Sequence, residues 1–171
     1  VILHNHAIGG RSSRTFLTEG RWDTVVAGLR PGDVVLMQFG HNDSSPINED
    51  PPVGPSTRAR GTIKGNGDET VFVEKNILTG RPETVHSYGW YLRRYIADTL
   101  AKGAIPIVCS PIPRKSWTPE GRINRASASY GLWARQAAEQ GGAAFLDLNE
   151  IIARGYEALG AEAVEAHFAD K

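Results

Sequence analysis

Apolar residues along the chain fall into two kinds of segment, short unbroken runs and longer stretches with a helical repeat. Val34-Val35-Leu36-Met37 leading into Gln38-Phe39-Gly40, Ile105 to Cys109, and Ala143 to Leu146 are runs without polar alternation. Such runs predict strands buried on both faces, as in a parallel sheet. Between them Trp22, Val25, Val26 and Leu29 recur at helical spacing. So do Val85, Tyr88, Leu92, Ile96 and Leu100, and then Ala126, Tyr130, Trp133, Ala134 and Ala137. Pro31-Gly32, Gly103 and Gly141-Gly142 end these helices, and Thr84 is the expected cap of the second. Tyr91 and Tyr95 lie off the apolar stripe and are expected in surface or interface packing. Val1-Ile2-Leu3 predicts a further strand that runs through His4-Asn5-His6 to the Gly9-Gly10 turn, where Ser12 or Ser13 caps a helix holding Phe16 and Leu17. Asp147 caps a helix through Leu148, Ile151, Ile152 and Leu159, and residues 161–166 form a short helical turn.

From Ser44 to about Pro82 the periodicity disappears under prolines and glycines. Gly65-Asn66-Gly67-Asp68 is the expected turn of a small hairpin with Thr70–Val73 as its return arm. A connection this long inside a compact domain predicts a binding loop or lid, the more so because it follows the central strand directly. The chain of 171 residues, 40% hydrophobic and 22% charged, is expected to form one domain. Its formal net charge of +0 and the lack of a long basic run exclude a nucleic-acid or membrane-surface partner. The single cysteine, Cys109, sits in an apolar run and is expected in the core.

Candidate chemistry collects where strands should end. Gly40-His41-Asn42-Asp43 follows the central strand, and ligands of open α/β sheets bind outside the carboxyl ends of the strands. His41 and Asp43 are expected to face that crevice as substrate contacts. The Asn42 amide offers two N–H donors without a charge, which suits oxygen charge that develops only in a transition state. The same tetrapeptide is also a good Asx turn. Gly10 can present a backbone N–H to the crevice with no Cβ in the way. His4 and His6 would share one strand face, but no third ligand accompanies them, so no metal and no cofactor is implied. Arg114, in the stiff Ser110-Pro111-Ile112-Pro113-Arg114 loop, is a candidate for holding a substrate carboxylate, with Arg58 and Arg60 as others at the crevice edge.

Taken in order, Asn5-His6-Ala7-Ile8-Gly9-Gly10-Arg11-Ser12-Ser13, Gly40-His41-Asn42-Asp43 and Phe168-Ala169-Asp170 resemble the SGNH (GDSL-type) hydrolases, most closely the rhamnogalacturonan acetylesterase group. The resemblance implies a flavodoxin-like, three-layer α/β/α sandwich. It also implies an esterase that removes acetyl groups from a pectic carbohydrate through a Ser-His-Asp acyl-enzyme, in a secreted or periplasmic setting. Carried over position by position, Gly10 and Asn42 complete the oxyanion hole and Asp170 is the late aspartate of the triad, with Phe168 expected to pack and anchor its turn. No Gly-Asp-Ser precedes Val1 and no histidine follows Asp170 within the chain. The chain is therefore expected to be a fragment, cut on both sides of the chemistry and inactive by itself. A short-chain esterase or lysophospholipase of the same fold, and a non-catalytic carbohydrate-binding descendant, are the alternatives.

Overall fold

The computed structural model describes residues 2–49 and 59–168. In chain order these form α1 (Ser13–Thr18), α2 (Arg21–Gly28), β1 (Val34–Gln38), β2 (Thr70–Val73), β3 (Glu83–His86), α3 (Tyr88–Ala101), β4 (Ile105–Cys109), α4 (Tyr130–Gly141), β5 (Ala144–Leu146), α5 (Leu148–Leu159) and α6 (Ala161–Phe168). Strands β1, β4 and β5 make a parallel sheet in the order β1-β4-β5, with Val34 opposite Ile105 and Ile107 opposite Ala144. All three end at one edge, where the loops after Gln38, Cys109 and Leu146 meet.

The core lies between this sheet and α3 and α4. Met37 of β1 and Val108 of β4 pack against Tyr88, Tyr91, Leu92, Tyr95 and Ile96 of α3 and the small Ala134, Ala137 and Ala138 of α4. Each fully buried large apolar side chain contributes about 1.5–3 kcal/mol, and the alanines let two helices share one narrow sheet. Tyr91 and Tyr95 are therefore core residues, 2% and 0% exposed, and not the surface or interface residues their off-stripe spacing predicted. The cause is α1 and α2, whose Phe16 and Trp22 extend the core around α3, so that more than one stripe of the helix is covered.

Other expectations are corrected. Val34, Leu36 and Ile105 are 52%, 60% and 50% exposed, so these runs are buried on one face and open on the other among the described residues. Ile2 and Leu3, both 84% exposed, belong to no strand. The hairpin partner of β2 is β3, paired from Thr70–His86 to Val73–Glu83, and not a segment before Gly65. The Arg93 guanidinium draws the Gly65–Asp68 turn onto α3 instead, donating to the carbonyls of Asn66 and Gly67. Thr84 consequently sits in β3, and Ser87 caps α3 by accepting the Trp90 N–H at 3.1 Å. Phe168 is 53% exposed, touching Tyr156 edge-on and lying under the Lys115 ammonium, so it is not the packed anchor expected. Ser12 and Asp147 cap α1 and α5 as the sequence predicts.

Candidate active site

The exit from β1 is fixed by two features. Gly40 has φ +131°, and a Cβ there would stand 2.7 Å from Pro111 Cγ, so only glycine fits between the turn and the loop after β4. The Asp43 carboxylate then reaches back and accepts the Gly40 N–H at 2.9 Å, closing the Gly40–Asp43 turn. Asp43 is 1% exposed and also accepts the Ser13 N–H at 3.1 Å and the Ser13 hydroxyl at 2.5 Å. Burial pushes its carboxyl up to about 6, against the lowering effect of the Ser13 and Gly40 bonds. Asp43 does not face the crevice as a substrate contact. A carboxylate with three inward donors is drawn into the structure, and it joins the start of α1 to the end of β1.

One residue earlier, Asn42 makes a parallel connection. Its Nδ2 donates to the Arg11 carbonyl at 3.0 Å, and because a carbonyl can only accept, this fixes the orientation of the half-buried amide. One N–H is committed to the Gly10–Arg11 turn, and among the described residues Arg11 O is the acceptor the amide reaches. Gly10 has φ +80°, and its carbonyl accepts from Arg60 Nη1 at 3.2 Å. Arg60 Nε donates to Ser45 Oγ at 3.1 Å, and no carboxylate among the described residues pairs with this guanidinium. The structure thus gathers Gly10, Asn42 and Arg60 at one corner of the sheet edge.

The opposite wall is a cleft of about 330 Å³ under the loop after β4, lined among others by His41, Arg114, Asn124 and Tyr130, with no acidic side chain in its lining. His41 Nε2 lies 2.9 Å from the Ile112 carbonyl, which makes Nε2 the protonated nitrogen and leaves Nδ1 as the acceptor in the neutral ring. This wall is braced from behind. Asn149 Nδ2 donates to the Pro111 carbonyl at 2.8 Å while its Oδ1 accepts the Ala126 N–H at 3.0 Å. Arg125 is bound to Glu157 and, at 2.9 Å, to Glu150, whose carboxyls these arginine bonds hold down at about 2.

Two groups of residues went unnoticed in sequence. Arg14, 0% exposed, donates to both oxygens of Glu83, to the Ile47 carbonyl at 2.8 Å and to the Gly61 carbonyl at 2.9 Å. It thereby pins two segments of the long insertion and the start of β3 to α1. Burial pushes the Glu83 carboxyl up, but Arg14 and Asn76 hold it below its usual value. Nothing in the local pattern marks this arginine, whose partner lies 69 positions away. Asn149, the brace of the loop after β4, is equally silent. Ser12 and Ser13 are both buried, their hydroxyls taken by Thr15 and Asp43. Among the described residues no serine hydroxyl is hydrogen-bonded to a histidine ring, and no group of three metal-ligating side chains occurs. Asp170 and Arg58 lie outside the described residues.

A parallel sheet backed by helices, with its chemistry-bearing loops at the carboxyl edge, is the fold of the SGNH hydrolases. The chain belongs to the GDSL-like lipase/acylhydrolase family, whose sequence profile matches residues 1–170. It is 32% identical over 168 residues to a rhamnogalacturonan acetylesterase of Emericella nidulans and 28% identical to a probable rhamnogalacturonan acetylesterase, YesY, of Bacillus subtilis. In both cases the match covers 98% of this chain and 64% of the relative, so the chain spans somewhat less than two thirds of their length. The crystal structure of YxiM from Bacillus subtilis, 21% identical, superposes with a TM-score of 0.70 over 96% of this chain and 38% of its own. No helix among the described residues is long and apolar enough to cross a membrane.

Proposed function

We propose that the protein containing this chain is a carbohydrate acetylesterase, in which the Gly10 N–H and the second N–H of Asn42 stabilise the oxyanion of an acyl transfer. The Asn42–Arg11 hydrogen bond carries this reading. It brings an uncharged amide donor against a left-handed glycine turn at the carboxyl end of a parallel strand, a place where donors can be rigid before charge develops. A Ser-His-Asp relay, with Asp170 as its carboxylate, supplies the nucleophile and base in this proposal. Since Ser12 and Ser13 are buried and bonded elsewhere, neither is that nucleophile. Residues 1–171 alone are expected to leave a chromogenic acetate ester intact.

In this proposal the substrate is a polymer carrying carboxylates, in keeping with the rhamnogalacturonan acetylesterase names of the relatives, and the enzyme works in a secreted or periplasmic setting. Arg60 supports this, being a guanidinium beside Gly10 without an acidic partner among the described residues, and Arg114 adds a second cation on a cleft wall that has no acidic side chain. Asn42→Ala in the intact protein should lower kcat about 100-fold with KM little changed. Arg60→Ala should lower kcat/KM on acetylated rhamnogalacturonan while leaving acetylated xylan unaffected. Wild-type kcat in the Asn42 variant would remove the oxyanion assignment, and equal losses on both polymers in the Arg60 variant would remove the carboxylate assignment.

A further inference from the structure

The candidate donors Gly10 and Asn42 sit on different segments, joined by the Asn42–Arg11 bond and by the buried Asp43–Ser13 contact, one residue further along the first partner's segment and two along the second's. These two rungs do different work. The Asn42 rung is one hydrogen bond from a half-buried side chain, so it constrains where the two segments lie less than a buried group with several bonds does. The Asp43 rung does determine it, because one carboxylate accepts from the first residue of α1 and from Gly40 at the exit of β1. Three donors converge on it, and only an ionised carboxylate can accept all three without presenting a proton of its own to a donor.

Resting on the acyl-transfer reading above, we propose that Asp43 is a positioning residue that in its ionised form sets Gly10 and Asn42 in register. The groups around it are almost all neutral. Tyr88, Tyr91 and Tyr95 of α3 and Tyr130 of α4 face it, each with its phenol pushed up by burial and further by the Asp43 charge. The guanidinium of Arg14 on α1 is committed to Glu83, Ile47 and Gly61, and the His41 ring on the turn itself is bonded to the Ile112 carbonyl. No cation among the described residues donates to the carboxylate, so its charge is held by the Ser13 and Gly40 donors alone. Weakening those donors should therefore change the pH at which the register is lost, something a merely space-filling residue would not do.

The test has two arms on the intact protein. In the first, ¹⁵N NMR follows the Gly10 backbone amide and the Asn42 side-chain amide as pH is lowered. Both signals should move with a common midpoint that disappears in Asp43→Asn and rises in Ser13→Ala, which removes one donor to the carboxylate while sparing the Ser13 backbone N–H. In the second, Asp43→Asn should lower kcat on a chromogenic acetate about tenfold with KM nearly unchanged. A midpoint unmoved by Ser13→Ala, or wild-type kcat in Asp43→Asn, overturns the proposal. Should Asp43→Asn fail to fold, Ser13→Ala decides by itself. A wild-type protein that cleaves no acetyl ester overturns the esterase reading instead, and the NMR arm still judges the coupling.

Discussion

The two walls of the sheet edge are held by carboxylates that are perturbed in opposite directions. On the Gly10 side, Asp43 is buried among phenols with only N–H and O–H donors, and burial raises it to about 6, above the usual carboxylate range. On the Arg114 side, Glu150 and Glu157 lie near the surface in the grip of Arg125, which with Arg154 and Arg122 lowers both to about 2 from 4.5. The first wall takes its geometry from a charge it is costly to keep, the second from pairs that are inexpensive and individually weak. An edge built this way has one rigid corner, where donors keep fixed directions, and one wall held by surface ion pairs, which can adjust.

The contrast can be broken most severely at Arg14. Its removal in Arg14→Ala leaves the half-buried Glu83 without its cation, and loss of one partner of a buried pair costs about 3–5 kcal/mol, an upper bound here because water can reach Glu83. Urea unfolding should show that loss, and a change within experimental scatter would mean that water replaces the guanidinium. Next comes Asn149→Ala, which strands the Pro111 carbonyl and the Ala126 N–H and should cost about 1–3 kcal/mol, with the damage confined to the cleft wall in amide exchange.

pH sharpens the comparison. The raised Asp43 favours the fold most below its unfolded value of 3.8, and that contribution is lost as pH rises through about 6. The depressed Glu150 and Glu157 favour the fold above 4.5, and theirs is lost as pH falls towards about 2. Acidification from neutral should thus first discharge Asp43, releasing the register of its corner without lowering global stability, and only later loosen residues 123–126. Hydrogen exchange that weakened at Ile123 and Arg125 before any change at Ser13 and Gly40 would contradict the assignment. The smallest effect belongs to Arg154→Ala. Its i,i+4 pair with Glu150 is largely solvated, so the change should be about 0–1 kcal/mol and should shrink in salt.

What the sequence made legible was local. The strands at Val34, Ile105 and Ala144 and the helices between them follow from apolar spacing, and the caps at Ser12 and Asp147 from residue type. Misreadings arose where a distant partner decided the outcome. Thr84 looks like a helix cap until β2 arrives to pair with it, and the Gly65–Asp68 turn looks like a hairpin until Arg93 takes its carbonyls. At the site the same division holds. Gly10 and Asn42 were singled out because short motifs advertise backbone freedom and uncharged donors, and the structure brings their segments together. Asp43 was assigned to the crevice because nothing in Gly-His-Asn-Asp says which of two adjacent polar side chains turns inward; the donors on Ser13, 30 positions earlier, settle that.

The pairing of β1 with β4 also dictates an order of events during folding. Val34 meets Ile105 only across the entire insertion and α3, a long loop to close, whereas α3, β4, α4 and β5 follow one another directly and can collapse as neighbours. That later half of the chain should form the nucleus, and β1 should dock onto it afterwards. The Gly40–Asp43 turn hangs from the end of β1, so the corner that joins Asn42 to Arg11 would be the last part to take shape, assembled on a scaffold that has already become native. Pulse-labelled exchange during refolding should show Leu92, Ile96 and Val108 protected before Met37 and Gly40, and the reverse sequence would place the nucleus at the site itself.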